Sequence, residues 1–389
     1  MPVPIAFCAT PLDGTANFGA TVTGVDLNDL NDETFLKLQT ALYRYKMLIV
    51  KDQAGLTPSN QYLLNRRFDP DAPGEHADTV RNKADKSAIP SAAFLAEIPE
   101  ARQVRIVGTG LIPKGHYGTV ADQVLPGGSH VPFHETPLTE EELASGDTRF
   151  WRWHIDAPLY PKSAHTARVT TLFAHTLPKG EDLTVRFDDG TDRTMKMKPG
   201  RTSFIECTNL FRSLTPEQQA LAENSLVEYA PKPYMWTSAC KARSDGFFLL
   251  SEGKELPLED MPGADEAEAQ ILPMVWPNAM TGEKAFMVHA IAARKLHLKK
   301  SKDDTVRIVD DITEVRQILD DMQRPFLKPE NIVFSPYEEG DLAIWLNRSC
   351  RHTAMEYPKE KYGPRIMHQC HLLASDSPAD PTPIPEVEL

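Results

Sequence analysis

Trp151-Arg152-Trp153-His154-Ile155-Asp156 is the stretch on which the reading of this chain turns. Its aromatic and β-branched content reads as a β-strand. Side chains alternate faces along a strand, so Arg152, His154 and Asp156 share one side while Trp151, Trp153 and Ile155 take the other. Two neighbours on one face, an imidazole and a carboxylate, can grip one metal ion. A second imidazole is on offer at His352. There Glu339-Gly340-Asp341 is a turn signal, Leu342-Ala343-Ile344-Trp345-Leu346 an apolar strand, and Asn347-Arg348 the start of a new turn. This predicts His352 at a strand-to-turn edge, facing the mouth of a barrel. Two imidazoles and one carboxylate, with other coordination positions open, suit non-heme Fe(II), which needs room for O₂ and a co-substrate. Arg365, thirteen positions beyond His352, is the cation that a dicarboxylate co-substrate requires. The set points to Fe(II), 2-oxoglutarate and O₂.

The His-x-Asp pattern occurs twice. The other copy, His76-Ala77-Asp78, sits in a polar, turn-prone stretch without strand character. Metal ligands belong on rigid elements, so this copy is expected to bind nothing. The bland reading of the copy at His154 is a core histidine bonded to a nearby carboxylate. The segment around His352 tips the balance against it.

Composition narrows the rest. With 389 residues the chain has room for a sizeable core, and its apolar and charged fractions are those of a globular protein. A net charge of −13 argues against nucleic acid or an anionic membrane as partner. No apolar stretch approaches the roughly 20 residues that span a bilayer. The N-terminus lacks the basic start and long apolar core of a secretion signal. Five cysteines (Cys8, Cys207, Cys240, Cys350, Cys370) are scattered and never in Cys-x-x-Cys spacing, which reads as free thiols in a reducing compartment. A cytoplasmic enzyme with a small-molecule substrate is expected. The oligomeric state is left open, a homodimer included.

Along the chain, Ala20–Asp26 alternates, a helix is predicted from Asp32 to about Tyr45, and Met47–Val50 is a short buried strand. Thr57-Pro58 is a capping signal in a helical, loop-rich region from 55 to 100. Later strands are predicted at Gln103–Val107, Phe150–Ile155, Arg168–Ala174, Thr184–Phe187, Arg201–Ile205, Phe286–His289, Leu342–Leu346 and Ile366–Leu373. Residues 214–275 read as helical and acidic, and Ile312–Gln323 as an amphipathic helix. Many short strands with long insertions predict a mainly β, double-stranded β-helix (jelly-roll, cupin-like) architecture carrying helices outside it. One domain over 1–375 and a Pro-rich tail over 376–389 are expected.

On the last strand, alternation puts Arg365, Met367, Gln369 and His371 on one face. If Arg365 pairs a carboxylate inside the barrel, Gln369 and His371 also face the cavity and become candidates to bind substrate. A threonine at 170 or 171 is the candidate to add a hydroxyl to the same carboxylate. Arg152, on the ligand face, needs an anionic partner, either the substrate or a structural carboxylate.

Gly19-Ala-Thr-Val-Thr-Gly-Val-Asp-Leu27, Tyr45-Lys-Met-Leu-Ile-Val-Lys-Asp-Gln53 and Leu56-Thr-Pro resemble the opening of the taurine dioxygenase family, which precedes a His-x-Asp…His core. Thr148-Arg-Phe-Trp-Arg-Trp-His-Ile-Asp-Ala157, Val169-Thr-Thr-Leu-Phe-Ala174, Gly340-Asp-Leu, Asn347-Arg348, His352-Thr353 and His368-Gln-Cys-His-Leu-Leu-Ala-Ser-Asp376 are similar to its fungal xanthine dioxygenase branch. The resemblance covers nearly the whole chain. It implies Fe(II) at His154, Asp156 and His352, and 2-oxoglutarate held by Arg365 with Thr171. The branch has a Gln and an Asn two residues apart on the last strand, contacting the purine. Gln369 matches, but His371 stands at the Asn position. A lysine of the branch also lacks a counterpart in Ser129-His-Val-Pro-Phe-His134. Another small nitrogenous or carboxylated substrate, such as one tailored into a fungal natural product, is implied as readily as xanthine.

Two other classes fit part of the pattern. A non-catalytic cupin-like metal-binding protein needs neither a distal arginine nor open coordination sites. A zinc hydrolase using the same triad needs a positioned general base and works without O₂.

Overall fold

A computed structural model describes residues 6–12, 18–77, 95–250 and 252–389. The elements that build the site are strands β1 (Cys8–Pro11), β2 (Ala20–Thr23), helix α1 (Asp32–Tyr45), β3 (Met47–Val50), α2 (Pro58–Phe68), β4 (Leu95–Glu97), β5 (Arg105–Ile112), β6 (Gln123–Pro126), β7 (Val169–Thr176), β8 (Thr202–Glu206), α3 (Ile312–Gln323), β9 (Ile332–Phe334), β10 (Leu342–Leu346), β11 (Cys350–Ala354) and β12 (Arg365–His371). Among the described residues the main sheet runs β1-β2-β3-β10-β7-β12-β5-β4, with β6 on the free side of β5. A smaller sheet, β9-β8-β11, faces it.

The apolar run of β10 shows why the two sheets stack. All five of its residues are buried, as a strand covered on both faces must be. Leu342, Ile344 and Leu346 pack outward with Phe35, Leu38 and Leu42 of α1. Ala343 and Trp345 point inward to Phe204 of β8, Cys350 of β11 and Met367 of β12. The inter-sheet core therefore lies between β10, β7 and β12 on one side and β8 and β11 on the other. This is the expected jelly roll. The outer helices begin where capping residues predict: Asn31 accepts from Thr34 N at 2.8 Å and Thr57 from Asn60 N at 3.2 Å.

Three expectations need correction. Residues 214–275 are not mainly helical: after a helix over Pro216–Asn224 the chain forms short strands, among them Leu226–Tyr229 and Ile271–Pro273. His352 is not at a turn edge but in mid-strand, because the turn at 347–349 is tight and β11 begins at Cys350. Trp151–Asp156 is not a continuous strand. It pairs with β11 and its continuation at the isolated bridges Phe150↔Met355 and His154↔His352, and between them Trp151 N donates to Ala354 O at 3.4 Å and Arg152 N to Thr353 Oγ1 at 2.9 Å. Four steps on one side oppose three on the other, so the segment bulges and strict alternation fails. Trp151 consequently lies on the cavity wall beside Arg152, His154 and Ile155, while Trp153 stays in the core.

Beyond β12 the chain runs without helix or strand over the surface. Ile384 N donates to Ala279 O at 3.0 Å and Glu386 pairs with Arg44 at 2.5 Å. The five cysteines are free, four of them buried. Among the described residues no helix is long and apolar enough to cross a membrane.

Candidate metal centre

His352 projects from the middle of β11 opposite Phe204 of β8. It exchanges two backbone hydrogen bonds of 3.0 Å with His154, which brings the two rings to 4.3 Å between centroids. Nε2 of His154 lies 4.0 Å from Oδ1 of Asp156, and Nε2 of His352 lies 3.6 Å from its Oδ2. One donor atom from each of the three residues falls within 4.8 Å of the others, a spacing that could hold one ion.

The surroundings orient these donors. Nδ1–H of His154 donates to the Arg152 carbonyl at 2.8 Å, so its Nε2 keeps a lone pair for a metal. Thr170 donates its hydroxyl to Oδ2 of Asp156 at 2.7 Å. Asn347 accepts from Asp156 N at 3.0 Å and donates to Asp156 O at 2.9 Å. Burial, reinforced by the neighbouring His352, pushes the His154 imidazole down to about 3. Burial opposes the Asp156 carboxylate, yet the imidazoles of His371, His352 and His154 hold it well below its usual range. A neutral imidazole beside an ionised carboxylate is the protonation pattern that metal binding needs. The mixed nitrogen and oxygen donors fit Fe(II).

A cavity of about 630 Å³ opens over the triad. Part of its wall is carried by strands: Leu172, Thr202, Trp345, His352, Arg365 and Gln369. Leu95, Val107, Gly108, Thr109, Pro126 and Ala354, also on strands, add to it, and the rest is carried by connecting segments at 127–129, Trp151–Arg152 and 355–358 and by short helices at 140, 143–144, Tyr234 and 359–360. Arg365 reaches the cavity through β8. Its Nε donates to Gly200 O at 2.7 Å, and its Nη2 to Thr202 Oγ1 and Tyr337 Oη at 3.2 Å each. All these partners are neutral, and no carboxylate of the described residues lies within ion-pair distance of this buried guanidinium.

Gln369 is half-buried on the cavity wall. The Arg152 guanidinium also lines the cavity, 4.5 Å from the Tyr234 ring, 5.5 Å from Trp151 and 5.8 Å from Phe133. Two expectations fail. Thr171 does not face the cavity: its hydroxyl accepts from Gln61 Nε2 at 3.1 Å and Asn65 Nδ2 at 3.0 Å, both on α2. The inward side of β7 belongs to Thr170, Leu172 and Ala174, and Thr170 is engaged by Asp156. The threonine beside Arg365 is Thr202. His371 points inward as expected but is 2% exposed and off the cavity wall. Its Nδ1 lies 3.9 Å from Oδ2 of Asp156. It neighbours the metal centre from behind.

The second His-x-Asp copy contributes no ligand to the triad. His76 forms an isolated bridge with Leu372 and packs its ring 4.1 Å from that of His371. Asp78 lies outside the described residues. Sequence reasoning missed Asn347, Thr202 and Tyr337 as parts of the site. Asn347 stands in a quoted motif, but nothing local signals that its amide clamps a residue 191 positions away. Thr202 and Tyr337 read only as strand and turn residues.

Residues 9–371 match the family described as Taurine catabolism dioxygenase TauD, TfdA family. An alpha-ketoglutarate-dependent xanthine dioxygenase of Neurospora crassa is 39% identical over 381 residues, covering 96% of this chain and 87% of that one. An alpha-ketoglutarate-dependent dioxygenase of Phomopsis amygdali is 33% identical over 387 residues, covering 98% and 96%. Among solved structures, AAD-2 in complex with Mn(II) and N-oxalylglycine superimposes with a TM-score of 0.56 at 15% identity over 96% of this chain and 100% of that one, a likeness of fold. The chain thus belongs to the TauD/TfdA family and is an alpha-ketoglutarate-dependent dioxygenase, an enzyme of Fe(II), 2-oxoglutarate and O₂.

Proposed function

We propose that the chain couples decarboxylation of 2-oxoglutarate to succinate and CO₂ with oxidation of an unactivated C–H bond in a small polar substrate, with His154, Asp156 and His352 as the iron ligands and Arg365 as the anchor of the co-substrate. The observation that carries this reading is Arg365: a buried guanidinium with only neutral partners among the described residues, opening on the same cavity as the triad. Such a charge calls for an anion, and the distal carboxylate of 2-oxoglutarate supplies one.

Iron bound at the triad supplies the redox chemistry that activates O₂ and removes hydrogen from the substrate. The chain does the rest. His154 and His352 offer ring nitrogens, and Thr170 fixes the carboxylate of Asp156. Thr202 and Tyr337 aim the guanidinium of Arg365. Trp151, Ile155, Leu172 and Trp345 exclude water from the reacting centre, which protects the oxidant from side reactions. Gln369 reads a polar edge of the substrate, and Arg152 an anionic group on it. His371 acts on Asp156 and not on the substrate.

A second reading, conversion of xanthine to uric acid, is favoured by one observation. Gln369 lines the cavity where the resemblance expects a purine-contacting Gln. Against it, the neighbouring position is His371, which is off the wall. The residues up to 375 are read as one working domain with a tail at 376–389, in a cytoplasmic enzyme without a nucleic-acid partner. The test is succinate release with Fe(II) and 2-oxoglutarate across purines, amino acids, small carboxylates and terpenoid acids, with mass spectrometry of products. Uric acid from xanthine at enzyme-like rates selects the second reading. No succinate above the iron-only background with any compound rejects both.

A further inference from the structure

The outer face of β12 carries a second group of metal-ligating side chains that the reaction does not use. His368 is wholly buried there, between Gln61 of α2, which donates to its carbonyl at 2.9 Å, and the turn after β5. From that turn comes His116, whose Nε2 lies 2.9 Å from Nε2 of His368. His175 comes from the end of β7. His368 pairs opposite Phe173, so His175, two residues on, shares its face diagonally. The ring centroids stand 5.1 Å apart for His116 and His368, 4.9 Å for His116 and His175, and 5.4 Å for His175 and His368. Glu339, which accepts from Leu177 N at 2.9 Å, acts electrostatically on His175.

We propose that His116, His368 and His175 form a second transition-metal site, on the outside of the main sheet and separate from the triad, for a borderline cation of the Zn²⁺ kind. Imidazole donors select zinc, copper and nickel over magnesium or calcium. Zinc–nitrogen bonds of about 2.05 Å put two ligand nitrogens about 2.9 Å apart at a right angle and about 3.3 Å apart at the tetrahedral angle. The His116–His368 pair is already at the first spacing, and exposed His175, whose Nδ1 now lies 2.9 Å from Thr176 Oγ1, becomes the third ligand when its ring turns towards them. Burial, and then the charge of His175 on His116 and of His116 and His175 on His368, keep His116 and His368 neutral, at about 4 and about 3. Both hold a lone pair in neutral solution.

The site has a structural consequence for the cavity. His116 belongs to the connection between β5 and β6, and Gly108, Thr109 and Pro126 of those strands line the cavity. An ion bridging His116 to β12 pins that wall to the strand carrying Arg365 and Gln369. Zinc should therefore stiffen the enzyme as well as bind it.

The probe is Zn²⁺ itself, with bound metal counted by equilibrium dialysis and atomic absorption, and thermal unfolding followed in parallel. The triad also takes zinc, so the full chain should bind two ions. His116→Ala and His175→Ala, both changes outside the core, should each bind one and show a smaller zinc-induced rise in Tm than the parent, the remainder coming from the triad. Asp156→Ala should also bind one and keep the part of the rise that the histidine variants lose. A parental count of one overturns the proposal and leaves His116 and His368 as a simple N–H···N pair. So does a second zinc kept at parental affinity by either histidine variant. Failure of Asp156→Ala to lower the count speaks against the triad and not against this site.

Discussion

The side-chain amide of Asn347 holds the backbone of Asp156 from both sides, accepting its N–H at 3.0 Å and donating to its C=O at 2.9 Å. A third bond, to Ala167 O at 3.1 Å, ties the same amide to the approach to β7. Asp156 follows an irregular, bulged segment, so its position cannot come from a strand ladder. Asn347→Ala strands buried backbone groups, each worth about 1–3 kcal/mol. The expected result is a loss of stability in urea together with weaker Fe(II) binding. A variant that lost stability but bound iron with parental affinity would show that Asn347 supports the fold alone.

His154→Ala, Asp156→Ala and His352→Ala should each abolish Fe(II) binding while circular dichroism stays that of the parent. A site of three protein donors that loses one cannot hold the ion. His76→Ala, which removes a ring packed on His371, should keep its iron. Iron stoichiometry by colorimetric assay decides the matter, and loss in His76→Ala with retention in His154→Ala would sink the assignment.

Arg365→Ala should raise the 2-oxoglutarate requirement by orders of magnitude, since a buried carboxylate left without its cation costs about 3–5 kcal/mol. Iron affinity should barely move. Thr202→Val should shift the same titration more weakly, by the about 1 kcal/mol of one hydrogen bond. Thr171→Val should leave the titration alone and instead destabilise the packing of α2, where Gln61 and Asn65 lose an acceptor. If Thr171→Val weakened 2-oxoglutarate binding and Thr202→Val did not, the two threonines would have been assigned the wrong way round.

Acid should destabilise the metal-free protein before any carboxylate titrates. Burial pushes His134 down to about 4, although its Nε2–H donates to Trp151 O at 2.9 Å. His116 and His368 are depressed similarly by burial. In the unfolded chain these imidazoles take a proton near pH ~6.5. Below that value the unfolded state binds more protons than the folded one, so their contribution is whole above about pH 6.5 and is lost as pH falls towards about 4. Urea midpoints between about pH 7 and pH 5 should decline, and His134→Gln should flatten the slope. A midpoint that rose on acidification would contradict the burial of these rings.

The grouping of His154, Asp156 and His352 and most strands of the main sheet were legible because both rest on local patterns. The apolar run of β10, the alternation of β12 and the caps of α1 and α2 each fix an element within a few residues. What was not legible depends on how elements meet. Whether Thr170 or Thr171 faces inward is a matter of register, and one residue of register exchanges the two faces. The bulge before His154 arises from four residue steps opposing three, a mismatch that no short window displays. His371 obeyed its alternation yet lies behind Asp156, because inward-facing and cavity-lining are different conditions in a packed barrel. The residues at 214–275 carry helical composition, but pairing with distant strands overrides it.

The two origins of the cavity wall separate what the enzyme does from what it does it to. The reacting end rests on hydrogen-bonded ladders, where moving one side chain disturbs its neighbours on both sides. The far end, at 127–129, 143–144 and 355–360, belongs to loops and short helices whose length and sequence the ladders do not fix. New appetites can therefore be grafted onto this scaffold by exchanging a few surface connections, while its combustion chamber stays as it was.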